Sequence, residues 1–161
     1  MEEKVVLIIG SKADLEMANW INAVLKDFEI ETSIRIASAH KVPLKCYNII
    51  KEYEKENVIF ITIAGMSNAL SGFTDAQTHC PVIACPPFSD KFGGADVFSS
   101  LRMPSGVAPL TILNPENAAL AAAKILGLSN ADIREKVIAY QNKKRKELED
   151  DDDNLQKSKE V

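Results

Sequence analysis

Val5-Val6-Leu7-Ile8-Ile9-Gly10-Ser11-Lys12-Ala13-Asp14 decides how this chain is read: an unbroken apolar run, a glycine, then a short polar turn. An apolar run without alternation is what a strand buried on both faces needs, and such strands belong to parallel sheets covered by helices on each side. After the turn, Leu15, Ala18, Ile21, Leu25 and Phe28 recur at helical spacing, so an amphipathic helix follows the strand directly.

The same alternation of strand and helix continues outward. Thr32-Ser33-Ile34-Arg35-Ile36 alternates apolar with polar residues and is expected at a sheet edge. Ser38-Ala39-His40-Lys41 follows, and from Pro43 a helix is expected over 43–55, with Leu44, Tyr47 and Ile50 in its pattern. Val58 to Ala64, apolar but for Thr62, is a second strand of the buried kind. The glycine-bounded stretch Gly65 to Gly72 leads from it into a short helix near 68–78. Pro81 to Cys85 is a third buried strand, stopped by Pro86-Pro87, and 88–96 reads as a loop carrying Gly93-Gly94. A short helix near 96–101 and a last strand, Leu110 to Leu113, come next. Asn114-Pro115-Glu116 opens an alanine-rich helix that ends at Gly127. Ser129, with Asp132 three residues on, is expected to open a final helix to about 148.

With no hairpin signal anywhere, the expectation is a single three-layer α/β/α domain on a parallel sheet, spanning 1–149 and including the C-terminal helix. Residues 150–161 are expected to be an acidic, disordered tail.

Composition narrows the classes. At 161 residues and 46% hydrophobic, the chain can bury one sizeable core. The net charge of −4 is a property of its end: residues 147–161 hold seven acids and two lysines, which leaves the remaining 146 residues at +1. A near-neutral body argues against a nucleic-acid surface, and Lys143-Lys144-Arg145-Lys146 suits the closing turns of a helix without any such partner. No apolar run reaches the roughly 18 residues of a membrane span. Met1-Glu2-Glu3-Lys4 leads straight into a strand, so no leader peptide is expected. Cys46, Cys80 and Cys85 form neither a CxxC pair nor a disulfide framework, and as buried reduced thiols they suit the cytoplasm.

Chemistry-bearing residues gather after the first three strands: Gly10, Ser11 and Asp14; Ser38, His40 and Lys41; Gly65, Ser67 and Asn68. Ligands of open parallel sheets bind outside the carboxyl ends of the strands. Ser11 and Asp14 have capping-box spacing, and the same turn also offers free backbone amides to an anion. Lacking GxGxxG or GxxxxGK[ST], it suits one phosphate better than a dinucleotide or triphosphate. His40 is either an ordinary surface histidine or a group that moves a proton near neutral pH. Lys41 is either a solvated lysine or a charge clamp, and Ser67 and Asn68 also read as a helix cap. His79 precedes a strand, falls at the opposite rim, and is expected to be structural. Two isolated histidines without HExxH or paired CxxC give no metal site, and no GxSxG elbow supports a serine hydrolase.

Taken in order, Gly10-Ser11-x-x-Asp14, Ser38-Ala39-His40-Lys41, Ile63-Ala64-Gly65, Pro81-Val82-Ile83, Met103-Pro104-Ser105-Gly106-Val107 and Asn117-Ala118-Ala119-Leu120 resemble one family. It is the purine-biosynthetic family that places a carboxyl group on aminoimidazole ribonucleotide (AIR), and the match covers about 4–128. The resemblance implies a flavodoxin-like fold, a homo-octamer, and neither metal nor organic cofactor. Class I members are mutases acting on the N5-carboxylated nucleotide, whereas class II members carboxylate AIR with carbon dioxide, without ATP or biotin. Lys41 where class I has arginine, a Gly65–Gly72 loop without histidine, Cys85-Pro86-Pro87 and the stretch Ser99 to Gly106 all resemble class II. One departure is Met66, where class II usually carries arginine.

By this resemblance His40 and Lys41 are catalytic. Gly10, Ser11, Asp14, Ser38, Ala39, Gly65, Ser67, Asn68, Ala69 and Leu70 bind substrate. The competing readings are a class I mutase and, more remotely, a non-catalytic nucleotide- or flavin-binding module.

Overall fold

Side chains alternate along a strand, so the run at 5–9 requires cover on both sides, and it has it. In the computed structural model, which describes residues 3–159, five parallel strands form one sheet in the order β2-β1-β3-β4-β5. They are β1 (Lys4–Ile9), β2 (Glu31–Ile36), β3 (Val58–Ile63), β4 (Val82–Ala84) and β5 (Leu110–Thr111). Val5, Leu7 and Ile9 of β1, with Ile59, Ile61 and Ile63 of β3, face a core closed by α1 (Leu15–Asp27), α5 (Pro115–Leu126) and α6 (Ala131–Lys159). Val6, Ile8, Val58 and Phe60 point the other way, onto α2 (Pro43–Tyr53) and α3 (Ala69–Ala76). A short α4 (Phe98–Leu101) follows the loop Lys91–Val97, which Phe92, Gly93 and Gly94 kink with left-handed φ of 53°, 62° and 77°. This is the flavodoxin-like α/β/α arrangement expected, with β2 at an edge and a C-terminal helix.

The stripe on α1 behaves as its spacing requires: Ala18, Ile21, Leu25 and Phe28 are buried against the sheet and α5. Alanine is favoured on α5 because it lets two helices approach closely, and Ala118, Ala119, Ala122 and Ala123 are all buried.

Two expectations at the C-terminus need correction. Asn130, not Ser129, caps α6: its Oδ1 accepts from the amides of Asp132 (2.9 Å) and Ile133 (3.1 Å). The Ser129 hydroxyl instead donates back to the carbonyl of Leu126. Nor does α6 stop near 148 with disorder after it; it runs to Lys159. No glycine or proline interrupts 131–159, and within the acidic stretch Gln156 donates to Asp152 one turn earlier at 3.1 Å. The strand expected at Leu110 to Leu113 shortens to Leu110–Thr111, although the Ile112 amide still reaches the carbonyl of Ala84.

Candidate active site

In a sheet of order 2-1-3-4-5 the chain reverses direction between β1 and β3, and a crevice opens above their carboxyl ends. The turn after β1 forms its floor. Ser11 Oγ accepts from the Ala13 amide (3.2 Å), and Asp14 accepts from both the amide and the hydroxyl of Ser11 (3.0 Å each). The capping-box reading is therefore correct, and it leaves the turn facing the crevice. The Gly10 amide donates to the carbonyl of Ile63 at 2.9 Å, which ties this turn to the end of β3.

After β2, Ser38 sets the second wall. Its Oγ accepts from the Lys41 amide at 3.3 Å and its carbonyl from the Val42 amide at 2.9 Å. This closed turn presents His40 and Lys41, both exposed, before Pro43 starts α2. The third wall is the loop after β3. Gly65 lies so near Pro87 that a Cβ there would meet the proline ring at 3.2 Å, so glycine lets the loops after β3 and β4 approach this closely without the ring giving way by a few tenths of an ångström. Met66 follows with φ 56°, a left-handed backbone unusual for a side chain of its size. It is held by its amide donating to Asp96 (3.2 Å) and its carbonyl accepting from Ser99 (3.0 Å).

These walls enclose one cleft of about 560 Å³. Of the residues expected to act, His40, Lys41, Gly10, Ser11, Asp14, Ser38, Ala39, Gly65, Ser67, Ala69 and Leu70 all line it. Asn68 does not. It is 4% exposed and caps α3, accepting from the Ser71 amide, while its Nδ2 donates to Ser100 (2.9 Å) and its amide to Ser99 (2.9 Å). Its place is to fasten the loop, which is the capping alternative open in the sequence. His79 lies away from the cleft, near Glu54, as its position before β4 requires.

The sequence reading missed the fourth wall. Pro87, Phe88, Ser89, Asp90 and Lys91 line the same cleft from the loop after β4. Their signal was Pro86-Pro87 with Gly93-Gly94, which marks an ordered loop but not the direction in which it folds. Charges of both signs therefore face the cleft: Lys41 and Lys91 against Asp14 and Asp90. An apolar annex of about 240 Å³ adjoins it, where Pro86, Val97 and Leu113 join walls shared with the cleft. Cys85 comes just before Pro86, but burial pushes its thiol up to about 12, so it supplies no thiolate near neutral pH.

A cleft of this kind can hold a phosphorylated small molecule against one imidazole, and known proteins with the same architecture are close in sequence. The family described as AIR carboxylase matches residues 4–147. A phosphoribosylaminoimidazole carboxylase of Archaeoglobus fulgidus is 60% identical over 152 residues, covering 94% of this chain and 84% of that protein. Its counterpart in Treponema denticola is 45% identical over 159 residues, covering 98% and 100%. The crystal structure of Treponema denticola PurE superposes with a TM-score of 0.94 at 46% identity, covering 96% of this chain and 99% of that one. With three-quarters or more of each chain aligned at these identities, the chain belongs to the AIR carboxylase family.

Proposed function

We propose that this chain catalyses the class II reaction of its family, the reversible carboxylation of AIR by carbon dioxide in purine biosynthesis, with residues 1–149 as the catalytic domain. The observation that carries the reading is the single cleft in which Ser11, Asp14, Ser38, His40 and Lys41 converge from the ends of β1 and β2. Class II is favoured over the mutase by Lys41 and by a Gly65–Gly72 loop that lacks histidine.

Ser11, Asp14 and Ser38 hold the ribose and phosphate, helped by the backbone amides of the first turn. Gly10, Ala39, Gly65, Ser67, Ala69 and Leu70 shape the space around the base, and Asn68 serves it from behind. AIR is an enamine, so its ring carbon is already nucleophilic, and the protein's task is to hold carbon dioxide against it away from water. The new carbon–carbon bond takes its electron pair from the enamine, and one carbon–oxygen π pair moves onto oxygen to give the carboxylate. His40 then takes the ring proton, which restores the aromatic imidazole. In the reverse direction the same imidazole returns that proton to carbon as carbon dioxide leaves. Lys41 and the amides of the Gly65–Gly72 loop stabilise the developing carboxylate.

The chain is proposed to work in the cytoplasm as a homo-octamer. Supporting association, Phe88, Phe92, Phe98, Leu101, Leu110 and Leu113 are all half or more exposed around the β5 edge and the neighbouring loop. No helix among the described residues is long and apolar enough to cross a membrane.

The test is product formation from AIR without ATP, comparing fresh carbon dioxide with bicarbonate at low total carbonate, alongside a run with preformed N5-carboxylated nucleotide. Turnover with carbon dioxide and none of the carbamate establishes class II. The reverse pattern makes the chain a mutase despite Lys41, and turnover of neither removes the catalytic reading.

A further inference from the structure

Among the described residues, three other than glycine hold a left-handed backbone: Glu29, Met66 and Phe92, with φ of 57°, 56° and 53°. Met66 and Phe92 belong to the loops after β3 and β4, which meet at the cleft. Such a backbone is costly for a residue with a side chain and persists only where its surroundings hold it. What holds Met66 is polar and comes from both ends. Its amide donates to Asp96 Oδ2 at 3.2 Å, and its carbonyl accepts from Ser99 Oγ at 3.0 Å. The Ser99 hydroxyl also lies 2.7 Å from the carbonyl of Asp96 and accepts from the Asn68 amide at 2.9 Å. The carbonyl of Met66 and the amide of Ser67 belong to one planar trans peptide, whose C=O and N–H point in opposite directions. With that carbonyl turned to Ser99, the Ser67 N–H turns away from Ser99, and Ser67 lines the cleft while Ser99 does not. The Ser67 N–H has no backbone partner among the described residues. Asp96 stands in the wall of the annex and not of the cleft, so it acts on the loop and not on the nucleotide.

We propose that Asp96 is a positioning residue: by accepting from the Met66 amide it keeps the left-handed turn that aims the Ser67 N–H at the developing carboxylate. This role rests on the carboxylase reading of the cleft given above. AIR itself carries no carboxylate, so the bond from Ser67 forms only as carbon dioxide adds, and it acts on the transition state. Loss of aim therefore shows in kcat more than in the KM for AIR. Removing the Asp96 carboxylate frees only the amide end of Met66. The Asn68 cap on α3 and the contacts of Ser99 stay in place, so the walls that grip the nucleotide are kept.

The test compares Asp96→Ala, Asp96→Asn and Asp96→Ala combined with Met66→Gly in the full chain, by steady-state carboxylation of AIR at saturating carbon dioxide. Asp96→Ala should lower kcat at least about tenfold and leave the KM for AIR within about threefold. Asp96→Asn keeps an oxygen acceptor for the Met66 amide and should stay within about threefold of the unsubstituted chain. Glycine adopts a left-handed φ without a brace, so Met66→Gly should raise the kcat of Asp96→Ala at least about threefold. A mere loss of stability would give no such rescue. An unchanged kcat in Asp96→Ala, an Asp96→Asn as slow as Asp96→Ala, or no rescue by glycine overturns the proposal. Hydrogen exchange of the peptide carrying Met66 is followed alongside and needs no activity. It should quicken in Asp96→Ala and not in Asp96→Asn, and equal exchange in both and in the unsubstituted chain overturns the brace. No turnover by the unsubstituted chain would instead overturn the carboxylase reading, and the role of Asp96 in it, whatever the exchange shows.

Discussion

At the scale of single residues, the proposed chemistry rests on where one imidazole stands. His40 is exposed on a turn that Ser38 closes from behind, so its side chain can be changed without disturbing the core. His40→Asn should leave AIR affinity within about tenfold and nearly abolish turnover, because the proton transfer and not the grip on the nucleotide is lost. A steady-state assay paired with calorimetric binding separates the two, and a variant retaining half its activity would exonerate His40. The cysteines have the opposite character. Desolvation pushes Cys46 to about 11 and Cys85 to about 12, which leaves both thiols protonated at pH 8. Iodoacetamide at that pH should leave both unmodified until denaturant opens the fold, as mass spectrometry of the intact chain and its peptides will read. Fast labelling of native Cys85 would mean a thiolate beside the cleft.

At the scale of elements, α3 and α6 are each fastened by a few polar contacts. Asn68→Ala removes the cap on α3 and leaves Ser100 short of a partner inside the core. The cost should be about 2–3 kcal/mol in urea unfolding. The KM for AIR should rise as well, because the loop carrying Ser67 and Leu70 loses its anchor; a changed stability with an unchanged KM would separate α3 from the site. Between α5 and α6, the Tyr140 hydroxyl donates to Glu116, and Lys144 stands 3.3 Å from the same carboxylate. The Tyr140 hydroxyl first, then Lys144, hold the Glu116 carboxyl below its usual range. A depressed carboxylate adds stability that is present above its unfolded pKa and lost as pH falls through the folded value. Burial, followed by this hydrogen bond, raises Tyr140 from 10.0 to about 12, so its share persists below pH 10 and disappears as pH climbs through about 12. Glu116→Gln should flatten the acid limb of the melting temperature against pH, whereas an unchanged acid limb would assign it to other carboxylates.

At the scale of the whole molecule, the expectation is an octamer. Two of the apolar side chains around β5 border the cleft, Phe88 in its fourth wall and Leu113 in the annex. Association through these two would therefore cover the proposed catalytic cleft as well as stabilise the fold. Light scattering should give about eight times the 17.7 kDa chain mass. A stable monomer of full activity would remove both the octamer and the idea that neighbours complete the cleft.

The layers, the edge strand and most of the residues that line the cleft were legible in the chain. Local patterns carry that information: an unbroken apolar run at 5–9 allows only a strand covered twice, and the alternation at 32–36 allows an edge. Glycine and proline mark where strands stop, and in a parallel sheet the stops share one rim, so His40, Ser11 and Gly65 were legible as neighbours. Which way each connection turns was set by contacts between distant segments. Asn68 looked equally fit for ligand or cap, and the approach of Ser99 and Ser100 from a distant loop made it a buried cap. Pro87 to Lys91 joined the cleft because Gly65 lets that loop come close, a contact between segments more than twenty residues apart that no local pattern records. The acidic run after Glu149 read as solvated coil, since charge and low hydropathy argue against burial. Nothing in it breaks a helix already started at Asn130, and propagation is far easier than nucleation, so α6 continues to Lys159.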